Sequence, residues 1–249
     1  MNLNAQWTPS NSLVTEVPKI ATDGNILYAA TGTGGGFHIS IDSGQTWIAP
    51  FTFPLGDFIQ SIFYSDGYLF LGGSIGNYRS SDGGYSWSQM PTLVDETFTY
   101  LKFGETIFAG TFGGGVYKSN DTGNTWISCN NGLFNGYIHA LTNDQNSLYA
   151  ASSIGLFKST NNGQSWLDVT ISIGSPTFNA VTFDGSNIIA GGPYCGIYRS
   201  ADGGATWNSG NSGLSSTDIR SLYTVGETIF LGGGDGVMYS IDHGTSWVD

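Results

Sequence analysis

The sequence predicts an all-β fold, a six-bladed β-propeller with four antiparallel strands per blade. Three observations predict it. First, an octet of the form Ser-x-Asp-x-Gly-x-Thr-Trp recurs with small changes at Ser40 to Trp47, Ser80 to Trp87, Ser119 to Trp126, Ser159 to Trp166, Ser200 to Trp207 and Ser240 to Trp247. Second, the tryptophans stand at 7, 47, 87, 126, 166, 207 and 247, so the steps are 40, 40, 39, 40, 41 and 40. A period near 40 residues holding four short strands is the signature of a propeller blade. Third, no stretch carries the 3.6-residue apolar spacing of a helix.

One repeat justifies the four strands. Trp87-Ser88-Gln89-Met90 begins the first, Phe98 to Leu101 is the second, Thr106 to Ala109 the third, and Val116 to Ser119 the last, which runs into the octet. Each is short, rich in β-branched and aromatic residues, and bounded by Gly, as in an antiparallel meander. The third strand reads Ile26 to Ala29, Tyr68 to Leu71, Ser147 to Ala150, Asn187 to Ala190 and Thr228 to Leu231 in the other copies. A glycine precedes the last strand in all six, at Gly36, Gly76, Gly115, Gly155, Gly196 and Gly236. That place calls for a left-handed turn or a close backbone approach. The repeats run at about 7–46, 47–86, 87–125, 126–165, 166–206 and 207–249, and no break in the period marks a boundary, so one domain is expected. A lone sheet of this size cannot bury both faces, whereas stacked blades can.

The octets, with Ala109-Gly110-Thr111 and Tyr117-Lys118-Ser119 around the third copy, resemble the Asp-box, or bacterial neuraminidase repeat. The family includes sialidases, sortilin-type receptors, xyloglucan hydrolases and photosystem II assembly-factor propellers. The resemblance covers nearly the whole chain. It implies that each box is the turn between the third and fourth strands of a blade, at the perimeter, and that its Trp opens the outer strand. Asp42, Asp82, Asp121, Asp202 and Asp242 match the box Asp, while Asn161 departs from it and leaves a weaker turn that still forms. These residues read as structural, because acids at turns ordinarily cap backbone amides.

Composition excludes several classes. The net charge is -12 with only 7 Lys and Arg, which is unsuited to nucleic acid. No apolar run approaches the 18 or so residues of a membrane span. The first residues lack the pattern of a signal peptide, yet the composition is that of an exported protein, so an extracellular or cell-surface location with a leader already removed is expected. Cys129 and Cys195 read as two thiols without a disulfide. His38, His139 and His243 are scattered and make no metal set, and no cofactor motif is present; Gly32 to Gly36 lacks the Lys and helix of a phosphate loop.

Chemistry is expected where variable loops meet the channel of the propeller. Glu16, Asp57, Glu96 and Asp218 stand at the start of inner strands and are candidates to ring its mouth. The next column reads Pro18, Gln60, Thr99, His139, Asn179 and Arg220, and the glycine-rich loops add Thr33, Ile75, Phe112, Ile154, Tyr194 and Asp235. With Tyr137, these acids and aromatics suit a sugar, by stacking and hydroxyl hydrogen bonds, or a cation. Arg220 holds an anion or pairs with Asp218. The chain is expected to be a non-catalytic binding or scaffold propeller with a glycan or protein ligand. The alternatives are a glycoside hydrolase with channel-mouth carboxylates and a structural repeat of a surface fibre. A sialidase needs a clamp of three arginines, and Arg79 and Arg199 precede box serines on the outer half of their blades. The segments around Trp7 and Trp247 both read as outer strands. Closure of the last blade by the N-terminal strand is favoured, and self-association through the surplus strand is left open, as is the oligomeric state.

Overall fold

The computed structural model describes residues 19–31, 36–52, 59–74, 76–134 and 136–249. The fold is all-β, a six-bladed β-propeller whose blades are antiparallel meanders paired in chain order. The first sheet holds β1 (Lys19–Thr22), β2 (Leu27–Ala30), β3 (Gly36–Ser40) and β4 (Ile48–Thr52). The second holds β5 (Ile59–Ser65), β6 (Tyr68–Gly73), β7 (Gly76–Ser80) and β8 (Ser88–Gln89). The third has β9 (Thr97–Phe103), β10 (Thr106–Thr111), β11 (Val116–Ser119) and β12 (Ile127–Ser128). The fourth has β13 (Ile138–Asn143), β14 (Leu148–Ser152), β15 (Gly155–Ser159) and β16 (Leu167–Asp168). The fifth has β17 (Ala180–Phe183), β18 (Ile188–Gly192), β19 (Gly196–Ser200) and β20 (Asn208–Ser209). In the sixth, β21 (Ile219–Val225), β22 (Thr228–Gly233) and β23 (Gly236–Ser240) form the ladder, and Val248 takes the outer place through a bridge to Tyr239. The outer position of that sheet is thus filled from the chain's own last residues. The rival strand around Trp7 lies outside the described residues.

Two compact units divide the chain, Met1–Gln89 and Met90–Asp249. In the first, Phe37 of β3 packs edge-on against Trp87, with ring centroids 5.2 Å apart, among Tyr28, Ile59 and Leu71. In the second, one core lies between each successive pair of sheets. Phe108 and Val116 meet Leu148 and Phe157; Tyr149 and Leu156 meet Phe178 and Ile188; Ile189 and Ile197 meet Leu231 and Met238. β10 and β14 are buried along their whole length, which is why they read as unbroken apolar runs rather than alternating ones.

The octet turns share one bonding scheme. The Asp202 carboxylate accepts from the Ser200 hydroxyl at 2.8 Å, the Thr206 N–H at 2.8 Å and the Thr206 hydroxyl at 2.6 Å. The Gly204 N–H then donates to Ser200 Oγ at 2.8 Å. Asp42, Asp82, Asp121 and Asp242 accept the same three bonds in their own copies. In the fourth copy Asn161 Oδ1 keeps two of them, while its amide donates to Ser165 Oγ at 2.8 Å, so the turn closes with one bond reversed. The octet glycine has positive φ, and in every copy so does the residue before it, for example Thr122 at 53° and Gly123 at 83°. Two successive left-handed residues make the tight reversal that matches strand twist. Of the glycines before the third strand, Gly76, Gly115, Gly155, Gly196 and Gly236 have positive φ. Gly36 is the exception, needed instead because a Cβ there would strike Thr31 Oγ1.

These bonds lower the carboxyls of Asp42, Asp82 and Asp202 to about 2, the neighbouring hydroxyl contributing most. Burial pushes Asp242 up, and its hydrogen bonds still bring it to about 2. A carboxyl lowered by folding stabilises the fold above its unfolded pKa of about 3.9, and that contribution disappears as pH falls through the folded value. Thermal melts should therefore hold steady above about pH 5 and drop between about pH 4 and pH 2. Asp202→Asn should make the drop shallower; a melting temperature that stays level down to pH 2 would refute this role for the turns.

Candidate functional site

Several of the candidate residues sit where the first strand of a sheet begins, and in four sheets a β-bulge puts one there. In the pairing of β13 with β14, Ile138 faces Ser152 and Ala140 faces Ala151, so His139 is the extra residue. In β21 and β22 the extra residue is Arg220, between Ile219 and Ser221. In β5 and β6, within the first unit, it is Gln60. In β9 and β10 the pairs Thr97 with Thr111 and Thr99 with Gly110 leave Phe98 as the extra residue. A bulge bends the strand and re-aims the extra side chain. In four repeats the variable column thus falls on a bulge, whereas the pairing of β17 with β18 begins at Ala180 and shows none at Asn179. In the third repeat its member is Phe98, not the expected Thr99. The slip arises because Thr97 stands where the other copies have Ile59, Ile138 and Ile219, so the apolar landmark is missing.

Around Phe98 the second unit gathers an aromatic cluster. Phe112 follows β10 and Tyr137 precedes β13, and the two pair as an isolated antiparallel bridge. Their rings meet edge to face, at 68° and 4.6 Å between centroids. Phe98 meets Phe112 edge-on at 5.4 Å and stacks on His139 at 6.1 Å. These separations lie in the attractive range for aromatic pairs. Backbone holds the cluster together: the Phe112 N–H donates to the Glu96 carbonyl at 2.8 Å, and the Gly113 and Gly115 N–H groups share the Gly136 carbonyl at 2.9 and 3.0 Å. The loops approach so closely that a Cβ on Gly136 would strike the Gly113 carbonyl oxygen. Phe112 remains 50% exposed and Tyr137 41%, so two ring faces stay open to a ligand. Burial holds His139 below the ordinary imidazole value, and its Nε2 lies 2.9 Å from Ser153 Oγ. It acts here as a neutral, polar member of an apolar cluster.

The other candidates are arranged differently. Arg220 pairs with Asp218, Nη2 to Oδ2 at 2.8 Å. Asp235 accepts from the Ser215 and Ser216 N–H groups at 2.9 and 2.8 Å and from the Ser215 hydroxyl, and these bonds, the hydroxyl first, lower its carboxyl. It pins the loop that leads to Asp218. Tyr194 is 90% exposed on the turn between β18 and β19. Glu96 precedes β9 and is joined to the cluster through its carbonyl. Glu16 and Asp57 lie outside the described residues, as do Pro18, Thr33 and Ile75 of the same columns. Among the described residues no group of three or more His, Cys, Asp or Glu can hold a metal ion. Cys129 and Cys195 are free thiols, and burial pushes Cys129 up to about 12. Away from the loop face, a groove of about 420 Å³ lies between Leu167, Ile171 and the Asp202–Gly203 turn. Its polar groups serve the fold: Lys158 donates to the Gly203 carbonyl at 2.9 Å, and Asp168 accepts from Thr170 and Ser175.

No family model matches the sequence, and no curated protein matches it. Solved structures do match in fold. A GH74 enzyme of Niastella koreensis superposes with a TM-score of 0.74 and 19% identity over 93% of this chain and 46% of its own. YCF48 bound to D1 peptide superposes with a TM-score of 0.72 and 20% identity over 94% of this chain and 80% of its own. PorZ, an essential surface component of the type-IX secretion system of Porphyromonas gingivalis, gives 0.72 and 16% over 90% of this chain and 38% of its own. The chain thus spans less than half the length of the GH74 enzyme. Likeness at such identities establishes the propeller fold and leaves function to the residues of the site. Among the described residues no helix is long and apolar enough to cross a membrane.

The loop contact yields a direct test. Gly136→Ala should force the two loops apart, cost about 1–3 kcal/mol, and weaken the near-ultraviolet circular dichroism of the Phe112–Tyr137 pair while the far-ultraviolet spectrum stays that of the parent. An unchanged near-ultraviolet spectrum would remove the Gly113–Gly136 contact as the clamp of the site.

Proposed function

We propose that this chain is a non-catalytic recognition propeller of an exported or surface protein, whose six octets are Asp-boxes serving the frame. Its ligand is a glycan or a segment of protein that lays a flat apolar face on Phe112 and Tyr137. The observation that carries this reading is the half-exposed pair, held by backbone bonds beside the bulge residues Phe98 and His139. Rings fixed in this way lose little freedom on binding, and stacking suits both sugar rings and proline or aromatic side chains. YCF48, a neighbour in fold, is a propeller bound to a peptide, which supports a protein ligand. The GH74 neighbour motivates the second reading, a glycoside hydrolase. Hydrolysis needs two carboxyls facing each other across the sugar. Of the four carboxylates that reading rests on, Asp218 is held by Arg220, Glu96 stands just before β9, and Glu16 and Asp57 lie outside the described residues.

Screening the chain against immobilised glycans and tiled peptides should return a ligand of modest affinity. Phe112→Ala and Tyr137→Ala should each weaken it about tenfold, equivalent to about 1.4 kcal/mol, with the melting temperature little changed. Binding that survives both substitutions together would move the ligand site elsewhere. Turnover of a glycan by the parent chain would favour the hydrolase.

A further inference from the structure

The start of the third sheet has a counterpart at the start of the sixth, and the two differ in one residue. In each an acid stands two places before the bulge residue: Asp218 before Arg220, and Glu96 before Phe98. The backbone around the acid is the same. The residue that follows the second strand, Gly234 or Phe112, donates its N–H to the carbonyl of that acid at 2.8 Å. In the sixth sheet the bulge residue answers the carboxylate: Arg220 donates through Nε and Nη2 to Asp218 Oδ2, at 3.0 and 2.8 Å. In the third sheet it cannot, because the Phe98 side chain has no donor. The half-buried Glu96 has no hydrogen-bond or ion-pair partner for its carboxylate among the described residues.

Aromatic rings lie beside that carboxylate instead. Phe112 stands between Glu96, to which its N–H is bonded, and Tyr137, with which it forms the isolated bridge, and Phe98 packs on Phe112. The other cations of this unit serve the opposite end of the sheets. Lys118, Lys158 and Arg199 each directly precede an octet serine, and Lys102 pairs with Ile107 toward the far end of β9. An unpaired carboxylate beside open ring faces, on a chain of net charge -12, attracts a cation and repels an anion.

We propose that this site takes an arginine side chain of a peptide ligand, whose guanidinium pairs with Glu96 as that of Arg220 pairs with Asp218 and lies flat on the open rings of Phe112 and Tyr137. The inference rests on the recognition reading above and selects a protein ligand over a glycan. A guanidinium is planar and weakly hydrated, so it stacks on an aromatic face, while its edge carries the N–H groups that a carboxylate accepts. An ammonium supplies the charge without the plane. A neutral sugar needs several hydroxyl partners, whereas the polar groups nearest the rings are engaged: the Phe112 N–H with Glu96, the Gly136 carbonyl with Gly113 and Gly115, and the Ser153 hydroxyl with His139.

The probes are the blocked pentapeptide Gly-Ala-Arg-Ala-Gly and the same peptide with citrulline or lysine in place of arginine. Each is titrated into the full chain to about 5 mM, which reaches affinities of millimolar order. The arginine peptide should bind about tenfold or more tighter than the citrulline peptide, which keeps the shape without the charge, and the lysine peptide should fall between them. Glu96→Gln should reduce the preference for arginine over citrulline to about threefold or less, with citrulline-peptide affinity and melting temperature as in the parent. Arginine and citrulline peptides that bind alike, or a preference that Glu96→Gln leaves intact, overturn this inference while the recognition reading stands. A chain that binds none of the three peptides overturns it too, and a glycan held through Phe112 and Tyr137 would then keep the broader reading. Arginine-dependent binding that survives Phe112→Ala and Tyr137→Ala together overturns both.

Discussion

A turn that serves two sheets at once is the contact on which the remaining structure depends. Its carboxylate and serine hydroxyl close the hairpin between the third and fourth strands of its own sheet. Its glycine, lacking a Cβ, lets the turn settle onto a large side chain of the sheet before it, as Gly84 does on Phe37 and Gly163 on Phe108. The tryptophan that ends the octet completes the link. In the second unit the indole N–H groups of Trp166, Trp207 and Trp247 donate to the Cys129, Val169 and Gly210 carbonyls, each just past the outer strand of the preceding sheet, at 2.8, 2.7 and 2.8 Å. Those of Trp47, Trp87 and Trp126 bond within their own turn. A buried carbonyl left unpaired costs about 1–3 kcal/mol, so each cross-sheet indole also fixes the register between sheets.

Such a frame frees the opposite end of each inner strand. Bulges there give Gln60, Phe98, His139 and Arg220 a direction that regular pairing would deny them, and because the bulge lies outside the cores its residue is free to change type from copy to copy. The outcome differs accordingly. Arg220 is neutralised by a neighbour, whereas Phe98 and His139 become part of an aromatic cluster. The same backbone device therefore presents different chemistry around the loop face, which is how a repeated fold acquires a particular ligand without altering its frame.

The fourth copy shows how much variation the turn accepts. Asn161 cannot be an anion, yet Asn Oδ1 takes the Asp place as acceptor and the amide turns its own donor toward the Ser165 hydroxyl, which rotates to accept it. Hydrogen-bond count is conserved and charge is not. Gly163 of this turn still settles on Phe108 of the sheet before it, as Gly84 does on Phe37, so the turn's geometry rather than its charge is what the stacking needs.

What was legible in the sequence followed from local rules. Period, strand positions, turn chemistry and the left-handed backbone of the octet glycine depend on residues within one repeat, and each copy repeats the evidence; the fold class, the free thiols and the Asn161 turn could be read from that alone. What it could not show were relations between repeats. Phe112 and Tyr137 are far apart in the chain and meet because Gly113 and Gly136 let two different connections touch. Phe98 was hidden by the polar Thr97, since a bulge is defined by its partner strand and not by its own residues. Only the packing of whole sheets decides burial, as the third on the fourth does for Phe108, because burial is a property of what lies on a face and not of the residues that compose it.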